Sequence, residues 1–111
     1  MKLADIINKL ELEKLTEINN PDCEVSGGYI SDLLSDVMAN SAKDNIWVTV
    51  QTHLNIAAVA KLKELAAIII VMNKEVDAET ISKANLEKIN ILRTKMNSFL
   101  VGGKLYEMGI R

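Results

Sequence analysis

From Val25 onward, short apolar runs alternate with stretches of helical period. Val25–Ile30 ("VSGGYI") reads as a short strand or a strand-to-helix turn. The following "SDLLSDVMANS" sets Leu33, Leu34, Val37 and Met38 on one helical face, with Ser31 as N-cap and Asp32 in the first turn, complementing the helix dipole. Ala42–Asn45 is a polar turn. Ile46–Val50 ("IWVTV") is apolar on both faces apart from Thr49, as a central strand should be. An alanine-rich helix runs from about Leu54 to Leu65 and has no polar residue in its first half after Asn55, which predicts burial on more than one side.

Ala67–Val71 ("AIIIV") is a second buried strand, and "DAETISKANLEKI" a further helix capped by Asp77, with Ile81 and Ala84 inward. Asn90–Leu92 is a short strand. Met96–Met108 is a last helix, expected to turn Met96, Phe99, Leu100, Gly103 and Tyr106 to one face. Ahead of this core, "KLADIINKL" is an amphipathic helix through Leu3, Ile6, Ile7 and Leu10, and "LEKLTEI" is either an edge strand or more helix. Strands alternating with helices at this spacing predict right-handed βαβ units and a mostly parallel sheet flanked by helices: a single α/β domain over 1–111, with residues 1–20 as an N-terminal helix and edge strand and 25–110 as the core.

Composition narrows the function. A chain of 111 residues with a quarter of them charged is one ordinary globular domain. The formal charge of −2, with no dense Lys/Arg cluster, argues against a nucleic-acid binder. Its single cysteine, Cys23, excludes an internal disulfide and a cysteine-based zinc site, and fits a reducing, cytoplasmic setting. Asp5 and Asn8 interrupt Met1–Leu10 before a signal-peptide core forms. The run Leu65–Met72 is well short of the ~20 residues that cross a bilayer. A soluble protein with no membrane partner is expected.

The only histidine, His53, stands where the "IWVTV" strand gives way to the alanine-rich helix. In an open parallel sheet, ligands collect outside the carboxyl ends of the strands, and a helix N-terminus there favours an anion. Gln51, Thr52, His53 and Asn55 occupy such an end; the competing reading makes Thr52 a helix cap and His53 a solvated side chain. Asn73 and Lys74 follow the next strand, and Thr94, Lys95, Asn97 and Ser98 the last one. Together they form a weakly basic rim suited to a phosphate or carboxylate, or they are ordinary loop residues. No neighbouring carboxylate in the sequence orients His53 as a general base, and nothing in the sequence brings Cys23 to it.

Ser26-Gly27-Gly28-Tyr29 has the look of a phosphate loop without the Walker spacing or lysine. Gly27 and Gly28 are there either to touch a ligand or to make a tight turn. One histidine, one cysteine and no close carboxylate pair predict no metal site. Gly102 and Gly103 within a helix cost on the order of 1 kcal/mol each relative to alanine. Close packing against the sheet or a second subunit would offset that cost, and Ala57, Ala58 and Ala60 raise the same alternative.

The blocks "SGGYISDLLSDVMAN", "IWVTVQTHLNIAAVA", "LAAIIIVMN" and "ILRTKMNSFLVGGKLYEMGI" resemble, in order and spacing over roughly 25–110, a small stand-alone DRTGG-domain protein. DRTGG domains are similar in fold to the N-terminal domain of HPr kinase/phosphorylase and also occur beside CBS domains in regulatory pyrophosphatases. The resemblance implies a compact α/β regulatory module, often dimeric, with adenine-nucleotide regulation in some multidomain relatives. The family's Asp-Arg pair falls at Thr52-His53 here, and its Thr-Gly-Gly stretch near Val71-Met72-Asn73, where no glycine stands. The expectation is therefore a homodimeric, non-catalytic module that needs no cofactor and binds a small anionic ligand, such as a nucleotide or phosphorylated metabolite, or a partner protein. The alternatives are a structural adaptor docking on a kinase or redox enzyme without a ligand, and an enzyme using His53.

Overall fold

Alternation along the strands decides the architecture. In the computed structural model, which describes residues 1–111, Asn45–Thr49 (β3) is buried at every position, and so is Ala67–Ile70 (β4). Their side chains divide by parity. Ile46, Val48, Ala67 and Ile69 enter one core, and Trp47, Ile68 and Ile70 enter the other. A strand buried on both faces must be covered on both, so the fold has three layers.

Gly27–Ile30 (β2), β3, β4 and Ile91–Arg93 (β5) are mutually parallel, and the two-residue strand Glu13–Lys14 (β1) joins β5 antiparallel, giving the order β1-β5-β4-β3-β2. Leu3–Lys9 (α1) and Ser98–Glu107 (α5) supply Leu3, Ile6, Ile7, Val101 and Leu105 to the first core. The crossover helices Leu34–Asn40 (α2), Asn55–Lys63 (α3) and Ala78–Leu86 (α4) supply Val37, Ile56, Val59, Ala60 and Ala84 to the second. No helix is long and apolar enough to cross a membrane.

The expected single-domain, mostly parallel α/β sheet is what forms, and the ambiguous segment after α1 is the short edge strand β1. Four local expectations are corrected. The helix expected from Ser31 begins at Leu34, because the Asp32 carboxylate accepts from Thr49 Oγ1 (2.8 Å) and the Val50 N–H (2.9 Å); the acidic residue of its first turn is Asp36. Ser31 Oγ instead accepts from the Leu33 N–H at 3.1 Å. α3 is flanked by α2 and α4, so its small residues serve packing among helices over the sheet; Ala58 remains exposed.

The last helix turns the other way from the expected face. Val101 and Leu105 are its buried residues, while Phe99, Leu100 and Tyr106 are exposed; Met96, ahead of the helix, does pack on the first core. The Gly27-Gly28 pair lies in extended β2 and not in a turn, and neither residue has a positive φ.

Every buried side-chain polar atom has a partner. Asn90, nearly fully buried, accepts the Asn19 N–H (2.7 Å) and donates to the carbonyls of Asn19 and Ala66 (both 2.9 Å), which fastens the loop before β2 to the amino end of the sheet.

At the β2–α2 turn Tyr29 Oη donates to Asp36 Oδ1 at 2.7 Å. That bond, with help from Ser31 and Asn40, holds the Asp36 carboxyl below the usual carboxylate range, and the same bond raises the Tyr29 phenol above 10.0. A depressed native carboxyl pKa contributes stability above the unfolded value, lost as pH falls through the native one. The raised phenol contributes below its unfolded pKa, a contribution lost as pH rises through the native value. In Asp36→Asn, phenolate absorbance of Tyr29 should therefore appear at lower pH than in the wild type. An unchanged Tyr29 titration would contradict the pairing.

Candidate functional site

The carboxyl ends of β3, β4 and β5 carry the polar loops picked out from the sequence, and the structure divides them into two places. The β4–α4 and β5–α5 loops meet the end of α1 in a cleft of about 390 Å³. Asn73, Thr94 and Lys95 line it, together with Lys9, Arg93 and Lys104. The β3–α3 loop opens separately, onto a broad depression lined by His53, Asn55, Asp77, Glu79 and Lys83.

Backbone pairing shapes the cleft. The Met72 N–H donates to the Met96 carbonyl (2.9 Å) and the Asn73 N–H to the Thr94 carbonyl (2.8 Å), so the two loops are laced together. Achieving this places Met72 and Asn73 consecutively in the left-handed region, at φ 61° and 52°. Asparagine tolerates that region, whereas methionine is strained there by about 1–2 kcal/mol. Glycines are what the DRTGG resemblance expects at this point. Met72→Gly should thus keep or raise stability by up to about 1 kcal/mol, where glycine at an ordinary exposed position lowers it. Chemical denaturation decides; a loss above about 1 kcal/mol would show that the Met72 side chain outweighs the strain.

Charge distinguishes the two places. Arg93 is committed: its Nε and Nη2 donate to the two Glu13 oxygens at 3.1 and 3.0 Å, and Nη1 donates to the Lys74 carbonyl at 3.2 Å. Lys9, Lys95 and Lys104 form no ion pair. With Arg93 and Glu13 cancelling and Glu11 opposing one lysine, the cleft holds a formal charge of +2 on a chain of −2. An anion is the ligand this arrangement favours.

The His53 depression is different. His53 Nδ1 lies 2.8 Å from Asp77 Oδ2, and Glu79 adds a second carboxylate against the single Lys83. The expectation that no carboxylate orients His53 is therefore corrected: Asp77 does so from 24 residues away. In turning to His53, Asp77 gives up capping α4, whose first turn receives no side-chain bond. Thr52 does not cap α3 either; its carbonyl accepts from Thr80 Oγ1 at 3.0 Å. Acidic neighbours make this N-terminus a poor anion site.

The remaining site expectations fall as follows. Gln51 Nε2 donates to the Asp32 carbonyl at 2.9 Å and is occupied in joining the β3–α3 loop to the β2–α2 loop. Asn97 caps α5, accepting from the Leu100 N–H at 3.0 Å, and Ser98 is the first residue of that helix. Gly27 and Gly28 begin β2, at the amino end of the sheet, away from the rim. Gly27 is crowded there by Asn45 Nδ2, 3.2 Å from where a Cβ would stand. Cys23 lies near that same end, 3.5 Å from Asp44 Oδ1, with its thiol pKa raised first by burial and then by that carboxylate. The length of β3 separates it from His53. No group of three or more His, Cys, Asp or Glu side chains is arranged to hold a metal ion.

No protein-family profile matches the sequence, and no curated protein sequence matches it. The fold, however, is similar to a solved structure: the crystal structure of the CBS and DRTGG domains of the regulatory region of Clostridium perfringens pyrophosphatase, complexed with its activator diadenosine tetraphosphate. The TM-score is 0.71 at 17% sequence identity, over 92% of this chain and 44% of that one. The chain thus spans under half the length of that regulatory region. At this identity the likeness concerns the fold, a five-stranded α/β domain of the kind found in that regulatory region.

Proposed function

We propose that the protein is a non-catalytic regulatory module whose carboxyl-edge cleft binds a small phosphorylated ligand, an adenine nucleotide among the candidates. The convergence of Lys9, Lys95 and Lys104, none in an ion pair, on one cleft at the end of β5 carries the reading. It is supported by the rule that open parallel sheets bind ligands at this edge, and by the fold likeness to a regulatory region that was solved with a nucleotide activator. The protein acts as a homodimer in the cytoplasm and passes the ligand signal to a partner protein.

A thermal-shift screen of inorganic phosphate, pyrophosphate, adenine nucleotides and phosphorylated metabolites tests this. A ligand at a hundredfold excess over its Kd stabilises the native state by about 2.7 kcal/mol, a rise in Tm on the order of 10 °C for a domain this small. No stabilisation by any phosphorylated compound would favour the adaptor reading, which the exposed apolar flank of α5 supports. The His53–Asp77 contact favours a third reading, an enzyme with His53 as base. That reading requires a reaction lost in His53→Ala while the fold persists.

A further inference from the structure

α5 presents a largely apolar flank, covered within its own chain only where the Arg111 guanidinium lies 4.4 Å from the centre of the Tyr106 ring. Phe99 is 83% exposed and Tyr106 60%, on the side of the helix where Gly102 meets Ile30, itself 48% exposed. Gly102 has an internal reason: a Cβ there would stand 2.8 Å from Ile30 Cδ1. Gly103 has none, with nothing within 4 Å of its Cβ position, although glycine within a helix costs about 1 kcal/mol.

The strand beneath this flank is an open edge. β2 has β3 as its one neighbour. The opposite edge, β1, is protected in the usual manner, being two residues long and charged at both. β2 has neither device: Gly-Gly-Tyr-Ile contains no charge and no proline. The Ser31 N–H donates to the Val48 carbonyl at 3.3 Å, so by alternation along the parallel pair the main-chain groups of Gly28 and Ile30 point away from β3. Between β2 and α5 runs an apolar groove of about 300 Å³.

We propose that a second copy of this chain covers this edge, with β2 pairing antiparallel to its two-fold mate and α5 packing on α5 through Phe99 and Tyr106 over Gly103. The two five-stranded sheets then become one of ten strands. A two-fold interface requires a surface complementary to itself. An unpaired strand beside an aromatic flank meets that requirement, since antiparallel pairing satisfies the main-chain groups of both copies at once, and the one cation there, Arg111, is already stacked on the Tyr106 ring. Two aromatic side chains, Ile30 and the strand edge supply about 500 Å² per copy, reaching the ~1,000 Å² total that marks a biological interface. The surface rests on the homodimer reading above and is independent of what fills the lysine cleft.

Light scattering at micromolar concentration should give twice the 12.3 kDa chain mass for the wild type. Ile30→Lys and Phe99→Glu should each raise the dimer dissociation constant at least about 100-fold and leave monomers with unchanged far-ultraviolet circular dichroism. The Gly28 amide, which faces the open edge, should exchange slowly in the wild-type dimer and rapidly in both variants. A wild type of single-chain mass overturns both the dimer and this surface, leaving the flank to a different partner protein. A dimer that survives both substitutions with a rapidly exchanging Gly28 amide overturns the surface alone.

Discussion

Reversing two charges at the cleft, Lys95→Glu with Lys104→Glu, should weaken binding of a phosphorylated ligand by at least about 100-fold. Each lysine offers a charge-assisted hydrogen bond worth about 1.5–3 kcal/mol when its partner is an anion. Reversal also adds repulsion where attraction stood, and every 1.4 kcal/mol is tenfold in Kd. The formal charge of the cleft falls from +2 to −2 when two lysines become glutamates. Both side chains are exposed and free of ion pairs, so stability should stay within about 0.5 kcal/mol of the wild type. Calorimetric titration of wild type and variant, with denaturation as the folding control, checks the prediction. Binding to the wild type should also weaken as salt rises, because the lysines are open to solvent and screened over about 10 Å at 0.1 M. An unchanged Kd in the double variant would remove the cleft from the account.

Trp47→Ala should cost about 3–5 kcal/mol, a large share of the ~5–15 kcal/mol that holds such a domain together. Trp47 is fully buried in the second core, among Val37, Ile56, Ile68 and Ile70. Truncation opens a cavity under α2 and α3 that neighbouring β-branched side chains, stiff at χ1, fill poorly. It also strips a partner from the Ser31 carbonyl, which accepts the indole Nε1–H at 2.8 Å. Trp47→Phe separates the two effects: it retains most of the volume and loses the hydrogen bond, so it should cost roughly half as much or less. Urea denaturation measures both. Equal losses in the two variants would mean that the indole N–H, and not the buried volume, dominates at this position.

Much of the fold was legible because its signals are local. Each buried strand is a short apolar run between polar turns, and each crossover helix has its own period, so order and parallel pairing followed from spacing. The misreadings have tertiary causes. α5 has apolar residues around most of its circumference, and periodicity alone supports more than one inward face. The choice of Val101 and Leu105 depends on Ile30 lying against Gly102. Ser31 lost its capping role because Asp32 is drawn to Thr49 across the strand end, a contact between residues 17 apart.

The site was legible in the same proportion. The loops after β4 and β5 followed from the sheet-edge rule, and Asn73, Thr94 and Lys95 from them line one cleft. Lys9 and Lys104 were missed. Lys9 arrives only because the two residues of β1 turn the end of α1 toward Arg93, and the pattern around "LEKLTEI" left strand and helix open. Lys104 stands on the flank of α5 opposite Gly102, which follows only once the helix is turned the right way. Asp77 beside His53 was hidden for a related reason, since its local sequence reads as a helix cap.

The most direct test of the lysine cleft is a titration of the isotope-labelled protein with ADP, followed by amide chemical-shift mapping. The structure predicts shifts that saturate together at Lys9, Asn73, Thr94, Lys95 and Lys104, and that shrink in the Lys95→Glu, Lys104→Glu double variant. Saturable shifts confined to His53–Asn55 or to the amino end of the sheet around Cys23 and Asp44 would contradict it.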